Sequence, residues 1–204
     1  AEYAGVNPET GKQQWYVPDE NGNISEDRVT ENYEEDKLLR ASGKKLRAPF
    51  NGGFSMGASW KGLALDIDWA FNVGKWIMNN DRYFTENVSR DFLDNNKNRK
   101  VLDAWTPENT NTDVPKFGEQ IAFDSRLLEN ASFLRLKNVR LSYALPSAWF
   151  EKIGVISGVR VYVTGRNLLT FTKFSGFDPE AGNNMAMNSY PNTRQYVGGL
   201  QITF

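Results

Sequence analysis

The side chains able to do chemistry in this sequence are oxygen acids, guanidinium groups and aromatic rings, because it contains no Cys and no His. That composition removes disulfides, thiol catalysis, thiolate zinc sites, the Ser/His/Asp triad and most transition-metal sites. Asp66 and Asp68 stand two residues apart and raise the question of paired-carboxylate catalysis. A glycosidase pair needs one raised pKa and a cleft between the acids. Two acids on one strand face are read here as solvated or salt-bridged, with Arg140, Arg160 and Arg166 as the natural counter-charges. Asp178, Glu180, Asn183 and Asn184 offer oxygen ligands for calcium, but they lack the spacing of a defined calcium loop. Turn chemistry around Pro179 and Gly182 accounts for them. Trp15, Tyr83 and Trp105 are the aromatic residues placed to stack on a ligand. No residue is assigned a catalytic, cofactor-binding or metal-binding role.

The elements that must hold these groups are strands. From Leu63 the odd positions read Leu63, Leu65, Ile67, Trp69, Phe71 and Val73, and the even positions Ala64, Asp66, Asp68, Ala70 and Asn72. This period of two predicts a strand with one apolar face and one small or polar face. Eleven residues at ~3.3 Å rise and ~40° tilt span roughly 28 Å, close to the apolar band of about 25 Å in outer-membrane barrels. Strands of soluble sandwiches are usually shorter. Phe54, Met56, Ala58 and Trp60 alternate with Ser55, Gly57 and Ser59, and Lys61-Gly62 then supplies a tight turn. Further alternating runs hold Val139, Leu141, Tyr143 and Leu145, then Val159, Val161 and Val163, then Tyr196, Gly198, Leu200, Ile202 and Phe204. Arg135 and Lys137 break the pattern. Either a bulge sits near Asn138 or these cations lie at head-group height beside lipid phosphates. Trp60, Trp69, Trp76, Trp149, Phe171 and Phe174 are read as interface girdles.

Net charge is −1, with 24 basic and 25 acidic side chains, so no nucleic-acid partner is expected. No run approaches the ~20 apolar residues of a membrane helix, and low hydropathy does not exclude a membrane barrel, whose polar lumen residues dilute the average. No signal peptide is visible at Ala1, which predicts a mature chain or an internal segment. The expected strands are 50–61, 63–77, 132–145, 158–171 and the run ending at Phe204. The connections at Lys61-Gly62 and Pro146–Gly158 are short, whereas residues 1–49, 79–131 and 172–194 read as long polar loops. Short turns on one side and long loops on the other are the plan of an outer-membrane barrel, with the short connections periplasmic and the long segments outside. About five strands cannot close such a barrel, so 1–204 is expected to be one segment of a larger one.

The run Ser132-Phe133-Leu134-Arg135-Leu136-Lys137-Asn138-Val139-Arg140-Leu141-Ser142-Tyr143 with Leu145-Pro146 resembles the C-terminal portion of SusC/RagA-type TonB-dependent transporters of Bacteroidetes. So do Val161-Tyr162-Val163-Thr164-Gly165-Arg166-Asn167-Leu168, Phe174-Ser175-Gly176-Phe177-Asp178-Pro179-Glu180, Trp105-Thr106-Pro107-Glu108-Asn109 and Tyr190-Pro191. The resemblance implies an all-β fold, the C-terminal antiparallel strands of a plugged barrel of about 22 strands, in the bacterial outer membrane. It implies import of glycans, oligosaccharides or peptides, driven by the TonB complex and assisted by a SusD-like surface lipoprotein. The further partners it implies are outer-membrane lipid and lipopolysaccharide, and the remaining barrel and plug of the same transporter. No enzymatic activity or cofactor is expected. Gly199, Ile202 and Phe204 match the family's C-terminal assembly signal, while Val197 stands where a polar residue is usual. The alternative is a secreted or surface β-sandwich that binds carbohydrate, in which the apolar faces would pack on each other.

Overall fold

The computed structural model describes residues 1–150, 152, 154–182, 185–187 and 190–204, with Glu35 and Asp36 described by backbone alone. Asn183 and Asn184, two of the four oxygen ligands considered for calcium, lie outside the described residues. In chain order the elements are β1 (Tyr3–Val6), β2 (Gln13–Tyr16), β3 (Val29–Thr30), α1 (Glu35–Leu38), β4 (Phe50–Trp60) and β5 (Leu63–Val73). After these come β6 (Trp76–Asn79), α2 (Asn80–Thr85), β7 (Leu128–Asn130), β8 (Phe133–Ala144), β9 (Gly158–Thr172), β10 (Met185–Ala186) and β11 (Gln195–Thr203). They divide between two units. One comprises Arg47–Lys75, Ala131–Glu180 and Tyr190–Phe204, the other Ala1–Leu46, Trp76–Asn130 and Ala181–Ser189.

The unit carrying the alternating runs is a five-stranded sheet in the order β4-β5-β8-β9-β11, with every neighbouring pair antiparallel. Lys61 and Gly62 both take positive φ, 47° and 89°, as the twist of a two-residue hairpin requires. The expected strand 63–77 stops at Val73, because Gly74 turns with φ 81° and the chain leaves the sheet there. Directly opposed residues share a face. Trp60, Leu63, Tyr143, Val161 and Leu200 therefore line up on one face, as do Met56, Ile67 and Val139. The opposite face carries Ser55, Asp66, Asp68, Asn138, Arg140, Tyr162, Arg166 and Gly199.

The break at Arg135 and Lys137 is a pair of nested bulges. Leu65 to Trp69 on β5 is matched by Leu141 to Leu136 on β8 and by Val163 to Leu169 on β9. Four residue steps thus face five, and five face six. On β8 the extra residue is Lys137; on β9 the ladder widens at Asn167, whose φ of 52° is left-handed. Parity is restored across the bulge, so Leu134 and Leu136 join the apolar face and Arg135 joins the polar one. The bulge reading holds. The head-group reading of Arg135 does not, since that side chain is 4% exposed within protein.

The second unit corrects the expectation of open polar loops. Its sheets are β1-β2-β3 and β10-β6-β7, and its cores gather Val88, Val101, Ala104 and Val114, and separately Tyr83, Ile121 and Leu127. These apolar residues follow neither a strand nor a helix period, so no periodic signal marked them. Polar contacts complete the packing. Arg82 bonds both carboxylate oxygens of Glu86 at 2.8 and 2.9 Å and reaches Glu129 at 2.9 Å. Arg126 binds Asp124 at 2.7 Å, and also Gln13. Burial pushes the Tyr3 phenol up to about 12, although the Arg126 guanidinium over its ring opposes the shift.

Candidate functional site on the polar face of the sheet

The polar face of β8 and β9 carries two kinds of arginine. Arg135 is saturated. Its guanidinium donates to Thr170 Oγ1 on β9 at 2.9 Å, to Glu180 Oε2 at 2.5 Å and to Asp178 Oδ1 at 2.6 Å. Lys137, the bulged residue, donates to both Glu180 oxygens at 2.7 Å, and Lys75 Nζ donates to the Pro179 carbonyl at 3.2 Å. The backbone N–H groups of Glu180 and Asn192 donate to the two oxygens of Asp178 at 2.9 and 2.8 Å. Asn192 Nδ2 reaches Glu180 at 3.0 Å. Burial works to raise the Asp178 carboxyl. Hydrogen bonds from Arg135, Asn192 and Glu180 outweigh it and hold the group below the usual carboxylate range. Burial also lowers the Lys75 ammonium below the ordinary lysine range, opposed by the charges of Glu180 and Asp178. The acids considered for calcium thus bind cations of their own sheet, clamping residues 178–180 and 192 onto its polar face.

The other arginines are arranged differently. Arg140 lies over the Tyr162 ring at 4.3 Å, and Asp66 stands opposite it in the ladder. The ring of Tyr162 has room because Gly199 lies beneath it: a Cβ there would sit 2.3 Å from the phenol carbon and oxygen. Arg160 and Arg166 are exposed, facing Gln201 and Gln195 on β11. Asp68 accepts hydrogen bonds from Ser55 at 2.6 Å and Asn138 at 3.0 Å. Asp66 and Asp68 share a face as expected. Tyr162 falls on the polar face where its alternation with Val161 and Val163 put it; Thr170, Lys75 and Asn192 were not singled out by sequence, and the parity break at Arg135 was the available signal.

On the apolar face, Phe54 stacks on Trp69 at 6.2 Å and Trp69 on Phe171 at 6.4 Å, while Trp60 and Tyr143 occupy the other end of the strands. Ile202 follows the apolar parity, and Phe204 continues it just past β11. Phe174 and Trp76 leave the expected girdles. Phe174 is buried after β9, and Trp76 lies in the other unit beneath Lys44. The ligand-stacking aromatics are also corrected. Trp15 is buried with its indole N–H on Asp124 at 2.8 Å, and Tyr83 is buried and stacked on Phe123 at 4.3 Å. Trp105 donates to the Pro8 carbonyl at 3.0 Å and fills the space beside Gly11. Trp15 and Tyr83 are committed to packing within their unit, whereas Trp105 stays half-buried. Among the described residues no group of His, Cys, Asp and Glu is arranged to hold a metal ion.

A sheet of long antiparallel strands with one aromatic-rimmed apolar face and one polar face defines the wall of a membrane β-barrel. No family model matches the chain. It is 35% identical over 168 residues to TonB-dependent receptor P3 of Formosa agariphila, covering 76% of this chain and 16% of that protein. It is 28% identical over 159 residues to TonB-dependent receptor SusC of Bacteroides thetaiotaomicron, covering 75% of this chain and 15% of that one. Its whole length superposes on 22% of a chain of the RagAB peptide transporter, with a TM-score of 0.92 and 54% identity. The chain belongs to the SusC/RagA-type TonB-dependent receptors, β-barrel proteins of the outer membrane, and carries C-terminal barrel strands of that type. The sandwich alternative fails on this match, and on an apolar face left open at Val163, 60% exposed, and Leu200, 58% exposed.

Proposed function

We propose that these strands form part of an outer-membrane importer, driven by TonB and working with a SusD-like surface lipoprotein. In this reading the apolar face meets lipid and the polar face lines the lumen, because a charge at mid-membrane on the lipid side costs about 2–4 kcal/mol. Among the described residues both edge strands, β4 and β11, pair on one side only within the sheet. An open edge in lipid leaves backbone groups unsatisfied at several kcal/mol each. The wall therefore continues into further strands of the same transporter, and its plug belongs to another part of that protein. Lys61-Gly62 and the connection from β8 to β9 lie in the periplasm, and the long segments 1–49, 79–131 and 172–194 lie outside the cell.

Of glycans, oligosaccharides and peptides, peptides are the cargo best supported. The observation that carries this is the full-length superposition, at 54% identity, on a peptide transporter. No catalytic step is part of the activity. The test is uptake of labelled peptides and oligosaccharides by cells holding the complete transporter and its lid lipoprotein, with and without TonB. Peptide uptake that requires both transporter and TonB is expected. Uptake of oligosaccharides alone would reassign the cargo, and TonB-independent uptake would overturn the mechanism.

A further inference from the structure

We infer that Arg140, Arg160 and Arg166, with Tyr162, form a carboxylate-binding strip for the acidic side chains of peptide cargo, an inference that rests on the peptide-import reading. Arg160, Tyr162, Thr164 and Arg166 follow one another along the polar face of β9, and Arg140 stands opposite Thr164 on β8. The side chains facing them are mostly neutral. Arg160 is flanked by Ala144 and Gln201, and Arg166 by Asn138 and Gln195. Asp66 offsets part of one charge from its place opposite Arg140, while Asp68 is held by Ser55 and Asn138.

The contrast with Arg135 gives the strip its meaning. There the chain supplies two carboxylates of its own, Asp178 and Glu180, for one guanidinium and one ammonium. Among the described residues, none of the three strip arginines forms an ion pair. Guanidinium groups present a planar fork that matches a carboxylate through two parallel hydrogen bonds, so the complement of the strip is a carboxylate from elsewhere. Arg160 and Arg166 stand six residues apart, about 20 Å along the strand, enough to engage an extended peptide at two acidic side chains. Arg140 is set in place by the Tyr162 ring, and that ring by the absence of a side chain at Gly199. Arg160 and Arg166 are exposed and free to follow a passing ligand.

The experiment uses the full-length transporter with its lid lipoprotein in the outer membrane. Two N-acetylated, C-amidated fluorescent peptides of identical length differ only in two Glu or two Gln residues. Arg160→Gln with Arg166→Gln is expected to lower uptake of the Glu peptide about tenfold, the weight of a hydrogen bond to a charged group, and to leave the Gln peptide unchanged at equal protein levels. Arg160→Lys with Arg166→Lys, which keeps the charges but not the forks, should restore part of the Glu-peptide uptake. An equal fall for both peptides, as an acidic plug segment seated on the strip would produce, overturns the inference, and so does no change in either. If the unsubstituted transporter imports neither peptide, the peptide-import reading itself fails, and that result is distinct from the other two.

Discussion

Single residues on the polar face carry separable roles. Gly199 was expected as part of an assembly signal, yet its position also makes room for Tyr162, since a Cβ would sit 2.3 Å from the phenol. Gly199→Ala is therefore expected to cost about 1–3 kcal/mol of overpacking and to lower outer-membrane levels. Gly199→Ala combined with Tyr162→Ser should restore them. Failure of the second change to rescue would return Gly199 to a recognition role. The Arg135 clamp makes a different claim. Removing one partner of a buried ion pair typically costs about 3–5 kcal/mol, so Arg135→Met should free residues 178–180 from the sheet and raise hydrogen exchange at the Glu180 and Asn192 amides. The Asp178 carboxyl is held below its ordinary range. Its contribution is thus complete above the unfolded value of ~3.9 and is lost as pH falls through the lower folded value. Exchange at the Glu180 and Asn192 amides should rise only in that acid range, and Asp178→Asn should abolish the dependence. A transition near neutral pH would contradict the assignment.

At the scale of elements, alternation made the strands legible and bulges decided the rest. The runs in β4 and β11 were read nearly to the residue and β5 from its start, overrunning only past Gly74, because an apolar face with period two has no competing interpretation at that length. β8 left two readings open. Sequence gives parity but not the partner's count of residues, and only the ladder shows Lys137 unmatched by β5. The unit containing Tyr83, Val101 and Ile121 was misread as loops for another physical reason. Its core is assembled from irregular segments tied together by Arg82 to Glu129 and by Arg126 to Gln13, and contacts so far apart in sequence leave no periodic trace. Ile67→Arg should impair assembly by about 2–4 kcal/mol while Ala64→Arg is tolerated, as measured by heat-modifiable migration of folded barrel; equal effects would undo the face assignment. Cys at Leu102, which is 85% exposed, should react with an impermeant thiol reagent on intact cells, and Cys at Val155, 65% exposed, should not. Val155 is a better periplasmic reporter than Gly62, whose φ of 89° disfavours any side chain. The reverse labelling pattern would invert the topology.

For the whole molecule, family membership and outer-membrane placement rest on long antiparallel strands together with similarity along the whole chain. The candidate site was only half legible. Asp66, Asp68, Arg140, Arg160 and Arg166 could be placed on one face from spacing alone, whereas the clamp needed contacts between residues more than 40 positions apart, such as Arg135 with Asp178. Trp15 and Tyr83 were misjudged because an aromatic ring in a polar stretch looks exposed until its packing partners are known. The central claim is that one face of the sheet meets lipid and the other meets water. It is tested most directly by nitroxide labels at each position from Leu63 to Val73 in the complete transporter, reconstituted into liposomes. Collision with oxygen, concentrated in lipid, should peak at the odd positions, and collision with a water-soluble nickel chelate at the even ones. A flat profile along β5, or the opposite phase, would contradict the account.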